Sequence, residues 1–192
     1  VTDRNELRGI PDDIVDSFKD PENEQHYRLT LFAPCFLPVM RFAENREIRQ
    51  KLYCAFVTRA SEMGANYGHR QFDKDYPDNA HFIELILKYR YEIAALLGYK
   101  NPAEQTLKDR MLNSASQVLD FLRDLARRAK PYAQKELEEL NQYAKETLKL
   151  DPLCAWDMSY ASEKLSQEKF GFSEQDIRPY FELKRSLKGM FG

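Results

Sequence analysis

The chain has 192 residues, 43% hydrophobic and 31% charged, the mix of a folded globular protein. Its formal net charge of −2 gives no electrostatic footprint for nucleic acid, and no apolar run approaches the roughly 20 residues that span a bilayer. Three widely separated cysteines, Cys35, Cys54 and Cys154, form no C-x-x-C pair and point to reduced thiols in a cytoplasmic setting, and the seven glycines form neither G-x-G-x-x-G nor a P-loop.

The polar N-terminus "VTDRNELRGIPDD" does not read as a secretory signal, and it lacks a starting methionine. "IPDDIVDSFKD" predicts a short helix, with Pro11 at its first position and Asp12 and Asp13 at the positive end of the dipole. In "YRLTLFAPCFLPVM", Leu29, Leu31 and Ala33 alternate with Arg28, Thr30 and Phe32 before Pro34 and Pro38. This predicts one short strand near residues 28–33, the only one expected. Asn45 is a helix cap, followed at helical spacing by Ile48, Leu52, Ala55, Phe56, Ala60 and Met63 up to Gly64.

"GANYGHRQFDKDYPDN", Gly64 to Asn79, has no apolar period and reads as a loop. A helix then runs from about Asp78 or Asn79 to Leu97, with Gly98 as its stop. In "NPAEQ", Asn101 caps, Pro102 takes the first turn and Glu104 lies three residues past the cap. From Ser114 or Ser116, an apolar stripe of Val118, Leu122, Leu125, Ala129, Tyr132, Leu137, Leu140, Ala144 and Leu148 predicts an amphipathic helix of about nine turns. Pro131 falls inside it, so a kink, or two helices meeting, is expected near Arg127 to Pro131. Ser173 and Asp176 resemble a cap before "EQDIRPYF", and a last helix starts at Leu187 to Phe191 and is cut off at Gly192. The fold class is therefore all-α, in a single helical region over residues 1–192.

Candidate chemistry is sparse. His81 and Glu84 in "HFIEL" share a helix face, but no second histidine completes H-E-x-x-H, so a helix-start histidine beside an exposed carboxylate is preferred. His69, Asp73, Asp75 and Asp78 lack calcium-loop spacing and read as a polar loop. Cys54 with His69 as a thiol–imidazole pair gives way to a buried, inert thiol. The cations Arg123, Arg127, Arg128, Lys130 and Lys135 precede Glu136, Glu138 and Glu139, which suits a solvated face of paired charges rather than a phosphate site. In "LCAWDMSYASEKL", Trp156 and Tyr160 share a face and read as a packing anchor, and Asp157 suits a helix start. No catalytic or metal-binding residue is assigned.

Several stretches carry a resemblance. "PCFLPVMRFAENREIRQKLYCAFVTRASEMG", "LKYRYEIAALLGYKNPAEQTLKDRM", "QVLDFLRDLARRAKPYAQKELEEL", "AWDMSYASEKL" and "FSEQDIRPYFELKRSLKGMFG" resemble, in order, segments of the thimet oligopeptidase and oligopeptidase A family. Ala155 stands where the family has proline, Ala161 where it has tyrosine, and Asn101-Pro102 where Asn-Tyr is usual. The resemblance implies a largely helical zinc metallopeptidase that cleaves short peptides inside a deep channel. Its zinc sits on an H-E-x-x-H helix, with the glutamate of that motif activating water.

That segment lies C-terminal to everything matched here. The chain is therefore expected to be an internal fragment from before the catalytic helix: scaffold and channel wall, inactive alone, with zinc bound by residues outside it. Its expected partners are the missing C-terminal catalytic part and, through the parent, oligopeptide substrates. Neither nucleic acid nor membrane is expected. Apolar faces normally covered by that part would drive self-association. The alternative is a stand-alone helical interaction module without catalytic activity.

Overall fold

The computed structural model describes residue 1 and residues 3–61, 79–172 and 174–192. The chain divides into two compact units, one made of residues 1–56 with 139–192 and the other of residues 57–138.

The first unit opens with a short 3-10 turn, Arg4–Leu7, whose cap residue Asp3 accepts from the Asn5 amide. Helix α1, Asp12–Asp16, follows directly after Pro11, where the missing N–H leaves nothing unsatisfied. Strands β1 (Lys19–Asp20) and β2 (Asn23–Tyr27) pair antiparallel, with Lys19 opposite Tyr27 and Asp20 opposite Asn23. The hairpin is fastened by Asp20, which accepts from the Glu22 amide and from Arg28.

The strand expected near residues 28–33 is therefore misplaced. The ladder ends at Tyr27 with its short partner, residues 28–32 have no regular structure, and helix α2 starts at Ala33. The prolines explain the shift. Pro34 lies in the first turn of α2 (Ala33–Phe42), where no donor is required, and Pro38 removes only one hydrogen bond inside the helix.

Helix α3, Arg46–Val57, begins as expected at Asn45, whose side chain accepts from the Glu47 and Ile48 amides. It ends earlier than the period through Ala60 and Met63 suggested. Ala60 takes a left-handed φ of 55°, and the Ser61 amide and hydroxyl both turn back to the Thr58 carbonyl. Met63, Gly64 and the loop through Asp78 lie outside the described residues. The core of this unit gathers Leu7, Ile10, Val15 and Phe18 from the N-terminal segment with Cys35, Val39, Phe42 and Ala43 from α2 and its end, and Ile48 from α3.

The second unit holds α4, Ala80–Leu96, and α5, Pro102–Leu107, which pack on each other. Gly98 takes φ 79° just past α4, and its neighbour's amide returns to the buried Ala94. Asn101 caps α5 by accepting from the Glu104 amide, as the spacing predicts. Helix α6, Ala115–Glu146, is one 32-residue helix running through Pro131. Its start and α5 line an apolar groove of ≈ 510 Å³ formed by residues such as Pro102, Leu107, Val118 and Leu119. Of its predicted stripe, Leu140 and Ala144 are buried, whereas Leu122, Leu125, Tyr132 and Leu137 are exposed.

The last turns of α6 rejoin the first unit. There Leu140 and Ala144 pack on Ala161 of helix α7, Met158–Phe170, with Leu150, Leu153 and Leu165 around them. Helix α7 ends at Gly171, whose φ of 72° is the left-handed stop that glycine takes without strain. A short helix α8, Glu174–Ile177, and a final helix α9, Leu183–Phe191, complete the chain. Helix α9 starts four residues before the predicted Leu187, because the Glu182 carboxylate accepts from the Lys184 and Arg185 amides. No described helix is long and apolar enough to cross a membrane.

Candidate functional site

The feature with the most concentrated chemistry lies in the first unit, where α7 meets α2 and α3. Trp156 and Asp157 stand on a 3-10 turn, Ala155–Asp157, that runs straight into α7. Asp157 does not cap its own helix. Its carboxylate accepts from Arg46 Nε (3.2 Å to Oδ1 and 3.0 Å to Oδ2), Arg46 Nη2 (2.7 Å), Arg49 Nη2 (2.7 Å) and the Cys154 amide (3.2 Å). A carboxylate has about four lone-pair positions, and these donors fill them. The side chain has no exposure to solvent.

Arg49 is the hinge of this arrangement. Its Nη1 donates to the Ala43 and Glu44 carbonyls at the end of α2, at 2.6 and 3.1 Å. Those carbonyls would otherwise be left open at a helix C-terminus, where a cation is also favoured by the dipole. The Arg49 guanidinium lies over the Tyr160 ring, 4.2 Å from its centroid. One side chain thus ties the end of α2, the first turn of α3 and the start of α7. Arg46 adds a bond from Nη2 to the Pro152 carbonyl at 2.9 Å, in the segment that carries the cis Asp151–Pro152 peptide.

One turn further along α7, Glu163 is nearly buried and accepts from Arg41 of α2 at 2.6 Å and from Gln167 at 2.8 Å. On the other side, the Trp156 ring packs edge-on against Tyr53 of α3, with centroids 6.3 Å apart. Two buried donors here, Arg49 Nε and Trp156 Nε1, have no acceptor among the described residues.

The electrostatics follow from this geometry. Burial pushes the Asp157 carboxyl up, but the hydrogen bonds from Arg46 and Arg49 and from the Cys154 amide outweigh it and hold the group below its usual range. Burial raises the Tyr160 hydroxyl, and so does the nearby Glu44 carboxylate. An aspartate that stays ionised, saturated by donors and closed to water cannot exchange a proton with a substrate. The arrangement is therefore a clasp. Its links join residues 111 and 108 positions apart in sequence, which is where holding two segments together costs the chain most freedom.

The remaining candidates are not drawn together. His81 is exposed at the start of α4 beside the Phe82 ring, and Glu84 is exposed on the same helix. Cys35 and Cys54 are buried and Cys154 is partly exposed, none of them in a disulfide. His69, Asp73, Asp75 and Asp78 lie outside the described residues. The basic run on α6 does pair along its own helix, but with acids that precede it: Arg123 with Asp120, and Arg127 and Arg128 with Asp124. Among the described residues, no group of three His, Cys, Asp or Glu side chains is placed to hold a metal ion.

Sequence reasoning read Trp156 and Tyr160 as packing, and the structure agrees, but it missed the partners of Asp157. A signal was present. Asp157, Tyr160 and Glu163 recur every three residues, and Arg46 and Arg49 are also three apart, so each set lies on one helix face.

Comparison with known proteins places this architecture. Residues 39–192 match the family model described as Peptidase family M3. Over its whole length the chain is 40% identical to oligopeptidase A of Escherichia coli and 39% identical to oligopeptidase A of Salmonella typhimurium, covering 28% of each of those proteins. It is 29% identical to saccharolysin of Saccharomyces cerevisiae over 97% of the chain and 26% of that protein. The clasp, with Arg41, Arg46, Arg49, Asp157 and Glu163, lies wholly inside the matched span, and the chain belongs to peptidase family M3.

Proposed function

We propose that residues 1–192 form one non-catalytic helical region of a zinc-dependent oligopeptidase, serving as scaffold and channel wall for the hydrolysis of short peptides in the cytoplasm. The observation that carries this reading is the alignment: all of the chain matches oligopeptidase A, yet it spans only 28% of that protein's length. The described residues do not fit a zinc site, since no group of three potential ligands converges. Zinc would accordingly be held by an H-E-x-x-H helix outside these residues, where it would activate water. No step of the hydrolysis is assigned to a side chain of this chain. Its own contribution is rigidity, because the clasp fixes α2, α3 and α7 against one another.

The chain alone is inactive on peptides. The test is hydrolysis of a quenched fluorescent peptide, compared between this chain and the full-length gene product. Cleavage by the full-length protein that a chelator abolishes, with none by the 192-residue chain, is expected. Cleavage by the isolated chain that survives chelator and mock-purification controls would overturn the reading. Exposed apolar side chains such as Phe32, Leu96, Met111 and Phe191 make concentration-dependent self-association of the isolated chain the expected behaviour in sedimentation.

A further inference from the structure

Tyr27, the last residue of β2, is paired on both sides of its strand. On one side it lies opposite Lys19 of β1, and the next amide, Arg28, donates to the Phe18 carbonyl at 2.7 Å. On the other side Val1 and Tyr27 exchange both backbone bonds. The Val1 nitrogen donates to the Tyr27 carbonyl at 2.9 Å, and the Tyr27 amide donates to the Val1 carbonyl at 2.8 Å. Two residues that exchange both bonds form the hydrogen-bonded pair of an antiparallel ladder, whereas the slanted bonds of a parallel ladder join each residue to two different partners. At this point β2 is an inner strand, and Val1 supplies one rung of a third.

Direction and register follow from that rung. Antiparallel pairing opposite Tyr27 sends the chain after Val1 toward Gln25 and the chain before it toward Leu29. The first way is closed, because the Gln25 amide bonds to the Asn23 side chain and Asp3 caps the 3-10 turn. The second way is open. Backbone bonding sides alternate along a strand, so the N–H and C=O of Leu29 face the same side as those of Tyr27. Among the described residues neither group of Leu29 has a hydrogen-bond partner, although Val1, Tyr27 and Leu29 are all partly buried against the core. Backbone groups at such a position call for a donor and an acceptor.

We propose that the residues immediately before Val1 in the longer peptidase form this third strand, antiparallel to β2. The second residue before Val1 lies opposite Leu29, and the residue between them lies opposite Arg28. This rests on the function proposed above, in which the chain is one part of a longer protein. It adds a joint: main-chain bonds fasten the first unit to the part of the peptidase that precedes it. A two-stranded sheet alone is marginal and β1 contributes only two residues, so a third strand steadies it. The occupant is set by the rung already made, since a foreign strand would have to displace the peptide that leads into Val1.

The test reads the register in the full-length protein. Residues opposite each other without mutual hydrogen bonds have Cα atoms about 4.5 Å apart, inside the disulfide range of about 4.4–6.8 Å. Arg28→Cys, combined with a cysteine at the residue immediately before Val1, should close a disulfide under oxidised glutathione, mapped by mass spectrometry. Moving that second cysteine one residue further from Val1 turns it to the opposite face and leaves the thiols free. In the unmutated full-length protein, the Leu29 amide should exchange at least about tenfold more slowly than in an unstructured peptide of the same sequence.

Leu29 exchange at the peptide rate would overturn the strand, and this measurement decides alone where the cysteine pair does not fold. A slow Leu29 amide without the disulfide, in a variant whose thermal midpoint matches that of the unmutated protein, would also overturn it, because another segment then covers the edge. A disulfide formed only from the shifted position overturns the register, and a mature product that starts at Val1 overturns the strand outright. The first three results leave the proposed function standing wherever chelator-sensitive peptide hydrolysis persists. The expected disulfide in a full-length product without such hydrolysis would remove the peptidase reading and keep the strand, which needs only that residues precede Val1.

Discussion

Arg49 and Asp157 are buried as a pair, with Nη2 2.7 Å from Oδ1 and only 1% and 0% of the two side chains exposed. Such a pair is costly to leave half-made, because the surviving charge stays buried without compensation. Asp157→Asn keeps the shape and removes the charge that Arg46 and Arg49 face. It is expected to destabilise the 192-residue chain by about 3–5 kcal/mol, read from urea unfolding followed by circular dichroism. A loss below about 1 kcal/mol would mean that the clasp is decoration. Replacing Arg49 by Lys should be nearly as damaging, since a single ammonium cannot reach Asp157 and the Ala43 and Glu44 carbonyls together.

The same pair sets a pH dependence whose sign can be worked out. Asp157 has a folded pKa below its unfolded value, despite the opposing effect of burial, because Arg46, Arg49 and the Cys154 amide favour the ionised form. Its contribution is therefore fully present above the unfolded aspartate value, about 4, and disappears as pH falls through the lower folded value. The stability gap between the wild-type chain and Asp157→Asn should be constant from pH 7 down to about 5 and narrow only below about 4. Urea midpoints for both proteins across this range check it. A gap that widens in acid would contradict the assignment. Asp16 and Asp20, also lowered, by Lys19 and by the Glu22 amide respectively, act equally in both proteins and cancel in the comparison.

Trp156 separates packing from hydrogen bonding. Its ring meets Tyr53 edge-on, while its Nε1 has no acceptor among the described residues. Trp156→Phe keeps an aromatic body and discards a donor that is already unpaired, so the cost should stay below about 1.5 kcal/mol. Trp156→Ala removes the ring and should cost about 3–5 kcal/mol. Equal costs would show that the indole N–H is satisfied after all. As the only tryptophan, Trp156 also reports unfolding of the clasp directly through its emission.

How much of this was legible in the sequence depends on the range of the interaction. Asn45, Asn101 and Gly98 act within a few residues of themselves, so their caps and stops could be placed from spacing alone. Pro34 and Pro38 misled in the other direction: alternation in "RLTLFA" suggested a strand, while the ladder partner that decides the matter is the two-residue Lys19–Asp20. Arg46, Arg49 and Asp157 were each visible, but a bond across more than 100 residues leaves no local period. Spacing showed that Asp157, Tyr160 and Glu163 share a face; only the fold shows that this face meets arginines.

Two glycines with similar backbone angles should respond very differently to the same substitution. Gly171, at φ 72°, closes α7 with no atom of the described residues beyond its chain neighbours within 4 Å of where a Cβ would stand, so Gly171→Ala costs only the left-handed backbone penalty of about 1 kcal/mol. Gly9, at φ 92°, would place its Cβ 2.3 Å from the Phe42 carbonyl oxygen, at the point where the Glu44 amide bonds to Arg8. The carbonyl belongs to the end of α2, which Arg49 holds through Ala43, and it cannot withdraw without disturbing the clasp. Gly9→Ala should therefore cost clearly more than Gly171→Ala, and it should also shift Trp156 emission, which Gly171→Ala leaves alone. Matching urea midpoints for the two variants, with no change in emission, would show that the N-terminal segment yields freely and is not braced against α2.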